Sequence, residues 1–280
     1  MSHQGPPPEA VRKLPIFQTV AEAYGMVFSH LPSLAKAAAL PFAISLGISF
    51  MAQTEAISPE RFVLVNALNL FPEAYFGVAW IRFVLLGARR AAPTTLPPIM
   101  PRHLHFLRFA ALMMLLTALP GLGIMAEYRP LAEFDGDPSP ELRAEVMLNM
   151  LPFMIMVVVA LVLVLRFSFV FPAVAVDEAY GLADSWRHTR GQAIRLIAGL
   201  AISMIPMTIA SLFLGAALSA GAGAPASPGL VFLVSNMALS YVVLALYFAF
   251  VSIAFRECTG WIPAAQAGPP DRATGEEQEG

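Results

Sequence analysis

The sequence predicts an all-α membrane protein: six transmembrane helices arranged as hairpins, amphipathic surface helices on the cytoplasmic face, and a partial parallel internal repeat. Three observations carry this. Long stretches hold no charge: 18 residues between Lys36 and Glu55, 18 between Arg108 and Glu127, 20 between Glu145 and Arg166, and 60 from Leu196 to Phe255. A helix rises about 1.5 Å per residue, so roughly 20 apolar residues cross a ~30 Å hydrocarbon layer. Composition agrees, since hydrophobic residues are 58% of the chain and charged ones 13%, against roughly a quarter charged in soluble domains. Finally, the runs do not alternate, and backbone in lipid must satisfy its own polar groups, so they are helices and not barrel strands.

The elements follow in order. Residues 1–15 are Pro-rich and polar, read as a disordered tail with no cleavable signal peptide, and the membrane domain occupies 16–258. Phe17, Val20, Tyr24, Val27 and Leu31 recur at i, i+3, i+7, i+10 and i+14, the pattern of a helix lying in the headgroup plane. Spans are expected near 33–54, 62–87, 104–126, 146–170, 194–219 and 230–255, the second interrupted by Glu73. Ala175, Ala179, Leu182 and Trp186 predict a second surface helix before the fifth span. Pro15 and Pro172 sit near the starts of the two surface helices, where proline is tolerated. The Gly-, Ala- and Pro-rich run Ala220–Gly229 separates the last two spans, and residues 259–280 read as a second disordered tail.

Orientation follows from the basic residues. Of the 17 Lys and Arg, only Arg61, Arg129 and Arg143 lie in connections after odd-numbered spans. The Glu127–Glu145 connection is acidic instead, with Glu133, Asp135, Asp137 and Glu141. Basic segments stay in the cytoplasm, so both termini are expected there. A net charge of −2 argues against nucleic acid as a partner, and the lone Cys258 excludes an internal disulfide or a Cys-based zinc site.

Glu22-Ala23-Tyr24-Gly25 recurs as Glu178-Ala179-Tyr180-Gly181, Ser29 matches Ser185, and Ala43-Ile44-Ser45-Leu46 matches Ala201-Ile202-Ser203-Met204. Tyr75-Phe76 aligns with Tyr247-Phe248 and Phe83 with Phe255. The repeating unit reads as a surface helix plus a hairpin, both copies pointing the same way. Coincidence in an Ala- and Leu-rich chain is the competing explanation.

Arg166-Phe167, Pro172-Ala173, Asp177-Glu178 and Ser185-Trp186 with Thr189-Arg190-Gly191 resemble a large bacterial group of multi-pass inner-membrane proteins. That group includes the membrane domain attached to some glycerophosphodiester phosphodiesterases and related small uncharacterised inner-membrane proteins. The resemblance implies a bacterial inner-membrane location and a link to envelope or phospholipid homeostasis. Phosphodiesterase chemistry in such enzymes resides in a separate soluble barrel; only 25 residues follow Phe255, so a non-enzymatic module is expected.

Two constellations remain. Trp186 with Arg187, Arg190 and Arg195 suits anionic lipid headgroups, since Arg pairs bidentately with phosphate; the same residues equally serve to enforce topology. Glu73 shares a helical face with Asn66, Asn69, Gly77 and Trp80. A carboxylate there faces the bundle interior, as a relay in a solute or ion path or in a structural pair with Arg82 or Arg166, unless a shorter span leaves it near the outer interface. His103, His105 and His188 have no supporting carboxylate, and Asp135-Gly136-Asp137 with Glu141 lacks the twelfth-position ligand of a calcium loop, so no metal or cofactor is expected. Ser211, Gly215 and Ser219, like Ala39, Ala43 and Gly47, read as helix-packing ridges. Phosphate loops, paired-His zinc motifs and serine nucleophile elbows are all absent from the sequence, leaving membrane lipids or a protein as the expected partners.

Overall fold

A computed structural model describes residues 13–52, 59–88, 90–91, 100–132, 139–221 and 230–263. Among them are nine helices and no strand: α1 (Ile16–Ser29), α2 (Leu31–Ala52), α3 (Pro59–Leu86), α4 (Pro101–Ala132), α5 (Pro140–Phe167), α6 (Val170–Ala175), α7 (Leu182–His188), α8 (Ala193–Gly221) and α9 (Leu230–Thr259). A helix stands at each of the six places where a span is expected. Five segments are long and apolar enough to cross a membrane: Leu31–Ala52, Pro101–Tyr128, Pro140–Ala175, Ala193–Ala216 and Leu230–Thr259. The protein is therefore multi-pass. α3, which carries Glu73, Asn66 and Asn69 along its length, is not among the five found in the described residues.

Local chemistry explains the ends. Ser139 caps α5 by accepting the Leu142 N–H, with Pro140 and Glu141 in the first turn, where a missing donor and a negative charge both suit the helix. Gly87 (φ +76°) and Gly260 (φ +68°) stop α3 and α9 in the left-handed conformation that glycine adopts without a Cβ clash. Their N–H groups bond back to Phe83 O and Arg256 O, both at 3.0 Å.

Helices pair as α2 with α3, α4 with α5, and α8 with α9; α3 and α9 also pack on each other. Burial concentrates in the later halves of these two, where Phe76, Trp80, Phe83, Phe250 and Phe255 are all nearly or fully enclosed. Trp80 Nε1 donates to Ala245 O at 3.0 Å, so its one polar atom is satisfied between helices. Gly77 permits the approach: a Cβ there would stand 2.8 Å from the rings of Phe106 and Phe248. Toward the opposite ends the helices expose Leu64, Leu68, Leu148, Val158, Leu212 and Phe213.

Several expectations change. α1 does not rest on the stripe Phe17, Val20, Tyr24, Val27, Leu31; its buried face is Thr19, Val20, Ala23 and Val27, while Phe17 is 77% exposed. The face has rotated because α1 docks on α8 and α9, with Tyr24 Oη donating to Ser203 O at 2.8 Å. The second surface helix is not continuous. Asp177 at φ 65° breaks it, leaving α6 fully buried and α7 short, so Ala175 and Trp186 share no single helix face. Near the expected tails, Leu14 is 2% exposed in the core and Trp261 packs on Phe255; residues 1–12 and 264–280 lie outside the described residues. Within the chain, a Cβ on Gly47 or Gly215 of the two small-residue ridges would meet nothing within 4 Å, and the Ser219 side chain lies outside the described residues.

Candidate functional site

At one end of the bundle the chain gathers charges from five separate segments. Arg82, at the end of α3, donates to Ala175 O at 2.8 Å and to Asp177 Oδ2 at 3.3 Å. Arg102, at the start of α4, meets the same carboxylate at 2.5 Å. Two guanidiniums thus converge on Asp177, the residue held in the left-handed region, which Asp tolerates better than most side chains. Nearby, Arg256 at the end of α9 pairs with Glu22 of α1 at 2.8 Å, and Trp261 Nε1 donates to Glu178 Oε1 at 2.8 Å. Leu14 N–H reaches Gln192 Oε1 at 3.4 Å, so both ends of the described chain lie here.

The predicted headgroup site lies at this end as well. The Arg166 guanidinium stacks over the Trp186 ring at 4.1 Å, a cation–π contact, while the indole stays 43% exposed. Arg187 pairs with Asp184. The Asp184 carboxylate also accepts from Gly181 N–H, and that bond, with the Arg187 and His188 charges, holds its pKa below the usual carboxylate value. Burial, reinforced by Asp184, raises the Tyr180 phenol, whose Oη lies 3.0 Å from His188 Nδ1. Arg190 is exposed and Arg195 partly so, and neither makes an ion pair among the described residues. Sequence reasoning thus brought Trp186, Arg187, Arg190 and Arg195 into one region but missed Asp177 as its organising carboxylate. The signal was local: an Asp after a buried helix, between two span-end arginines.

The second constellation is separate from this end. Glu73 pairs with neither Arg82, which is on Asp177, nor Arg166, which is on Trp186; the expected structural pair does not form. It lines two clefts instead. One of about 530 Å³ lies between α8 and α9, with Met204, Met207, Ser240 and Tyr241 in its wall. The other, about 270 Å³, includes Asn66, Ala74, Phe106 and Met113. Glu73 and Tyr247 belong to both. Of its predicted companions, Asn66 shares the smaller cleft. Asn69 donates to Val65 O at 3.0 Å and leaves its buried Oδ1 without a partner among the described residues. Gly77 and Trp80 are packed against α9 and face no opening. Tyr241 and Tyr247 were missed, although Ser240, Leu244 and Tyr247 stand at i, i+4 and i+7 on one helical face.

The histidines do not converge. His103 stacks on Tyr75 and His188 on Tyr180, and no group of three metal-capable side chains occurs among the described residues. Of the acidic connection, Glu133, Asp135 and Asp137 lie outside the described residues. Compared with protein-family models, with curated proteins and with solved structures, the chain matches none.

Proposed function

We propose that this is a non-enzymatic module of the bacterial inner membrane with six crossings, both termini in the cytoplasm, contacting anionic phospholipid in envelope or phospholipid homeostasis. The observation that carries the reading is that Arg190 and Arg195, on the segment that follows the half-exposed Trp186, make no ion pair among the described residues, at the end where the described chain begins and finishes. Indole rings favour the headgroup level, and each basic residue near an anionic surface adds about 1 kcal/mol. Parity supports α3 as the sixth crossing: two chain ends on one side require an even number of traverses, and five helices are apolar enough already.

The test is native mass spectrometry of purified protein titrated with phosphatidylglycerol and phosphatidylcholine. Two free cations at about 1 kcal/mol each amount to about thirtyfold, so Arg190→Gln with Arg195→Gln should erase a preference for the anionic lipid. Equal binding of both lipids by the unaltered protein removes the reading. A second reading, passage of a small solute or ion past Glu73, Asn66 and Asn69, is favoured by one observation: Glu73 lines openings on two sides of the α3–α9 pair. Its test is pH-dependent flux in proteoliposomes, abolished by Glu73→Gln.

A further inference from the structure

Glu73 stands near the midpoint of α3, about 20 Å from either end of the helix at about 1.5 Å per residue. No hydrogen bond or ion pair reaches its carboxylate from the described residues. An ionised group at that depth is costly unless a cation or a proton matches it. The walls around it say which cation. Met204, Met207 and Met237 line the larger cleft, unbranched and polarisable side chains that adapt to irregular apolar shapes. Tyr241 and Tyr247 add aromatic wall, whose π-systems attract cations. Thr208, Ser211 and Ser240 spend their hydroxyl protons on carbonyls of their own helices, at 3.1, 2.9 and 2.9 Å. Among the described residues, no other charged side chain enters either cleft.

This chemistry rejects most ligand classes. An anion is repelled, a neutral solute leaves only a proton to match the carboxylate, and a divalent metal needs about six oxygen ligands where one carboxylate stands. A volume of about 530 Å³ falls within the range of sites for drug-sized molecules, roughly 300–1,000 Å³. We propose that the larger cleft binds a lipophilic organic cation, its charge on Glu73 against Tyr241 and Tyr247 and its apolar body among Met204, Met207 and Met237. The smaller cleft exposes the same carboxylate from the other side of α3 and α9. Binding requires no transport, so the inference shares its location with the second reading above but not its outcome.

The probe is tetraphenylphosphonium, with the neutral triphenylphosphine oxide as control, measured at equilibrium on the purified full chain in detergent. Saturable binding of one cation per chain is expected, at least tenfold weaker in Glu73→Gln, within about threefold in Tyr247→Phe, and at least tenfold weaker for the oxide. A second measurement needs no variant. Dicyclohexylcarbodiimide labelling of Glu73, read by peptide mass, should slow at least threefold with the cation and not with the oxide. Non-saturable binding, equal binding by Glu73→Gln or by the oxide, or labelling that the cation does not slow overturns the proposal. Cation binding without flux in proteoliposomes removes the transport reading alone; flux of another solute without cation binding removes this inference alone.

Discussion

The same helices are held very differently at their two ends. At the charged end, α3 and α9 interlock through Phe76, Trp80, Phe250 and Phe255, and arginines from α3, α4 and α9 fasten the surface segments beside them. At the far end, the same bundle presents Leu64, Leu148, Leu212 and Phe213 outward, and between the two ends clefts open on Glu73. α9 and α4 show the contrast as whole helices: 61% of the most apolar stretch of α9 is buried, against 11% for α4. α9 is also the one long helix among the described residues without a proline, whereas Pro41, Pro72, Pro120, Pro152 and Pro206 each interrupt the backbone ladder of another. Tight packing at one end therefore fixes the topology, and the other end is left free to admit lipid or ligand.

The sharpest way to break this comparison is to cut one large side chain from each end. Trp80→Ala, removing a wholly buried ring and its bond to Ala245, should cost about 3–5 kcal/mol, measured by reversible unfolding in detergent. Leu212→Ala, at 69% exposure, should stay within about 0.5 kcal/mol. Similar losses at the two sites contradict the division. Glycines give a smaller test of the same kind. Gly77→Ala drives a methyl into Phe106 and Phe248 and should cost about 1–3 kcal/mol. Gly47→Ala meets open space and should stabilise α2 by about 0.5–1 kcal/mol.

The ion pairs are weaker. Asp177→Asn keeps a residue that tolerates the left-handed backbone but releases Arg82 and Arg102 from a carboxylate that is 56% exposed. The loss should be about 0.2–1 kcal/mol and should fade in 1 M salt. Smallest is the pH effect at Asp184. Its folded pKa lies below the unfolded value, so its contribution is fully present above the unfolded pKa and lost as pH falls through the folded one. Unfolding followed from pH 6 to pH 3 should show a decline that is shallower in Asp184→Asn.

How much of this was legible in the sequence depends on what each feature needs. Charge-free length located the five helices apolar enough to cross a membrane, because lipid demands it of a crossing; α3, broken by Glu73, had to be read from its flanking apolar residues. The docking face of α1 was not legible: Phe17 and Leu31 fit the periodicity, yet Ala23 and Thr19 face the core because small residues suit close contact with α8 and α9. Asp177 shows a second limit, since a single left-handed residue split a stripe that spacing read as continuous. The Glu73 face was half legible. Spacing put Asn66, Glu73, Gly77 and Trp80 in line, but only their neighbours decide that the first two meet a cleft and the last two a packed helix.

The account depends on the closed, basic end and the opposite ends of the long helices lying on different sides of the membrane. Single cysteines introduced by Arg187→Cys and Ser139→Cys, with Cys258→Ser as background, can be probed with a membrane-impermeant maleimide in intact cells. Labelling at position 139 from outside, and at 187 only after permeabilisation, is the result expected. Labelling of both from the same side would contradict the arrangement.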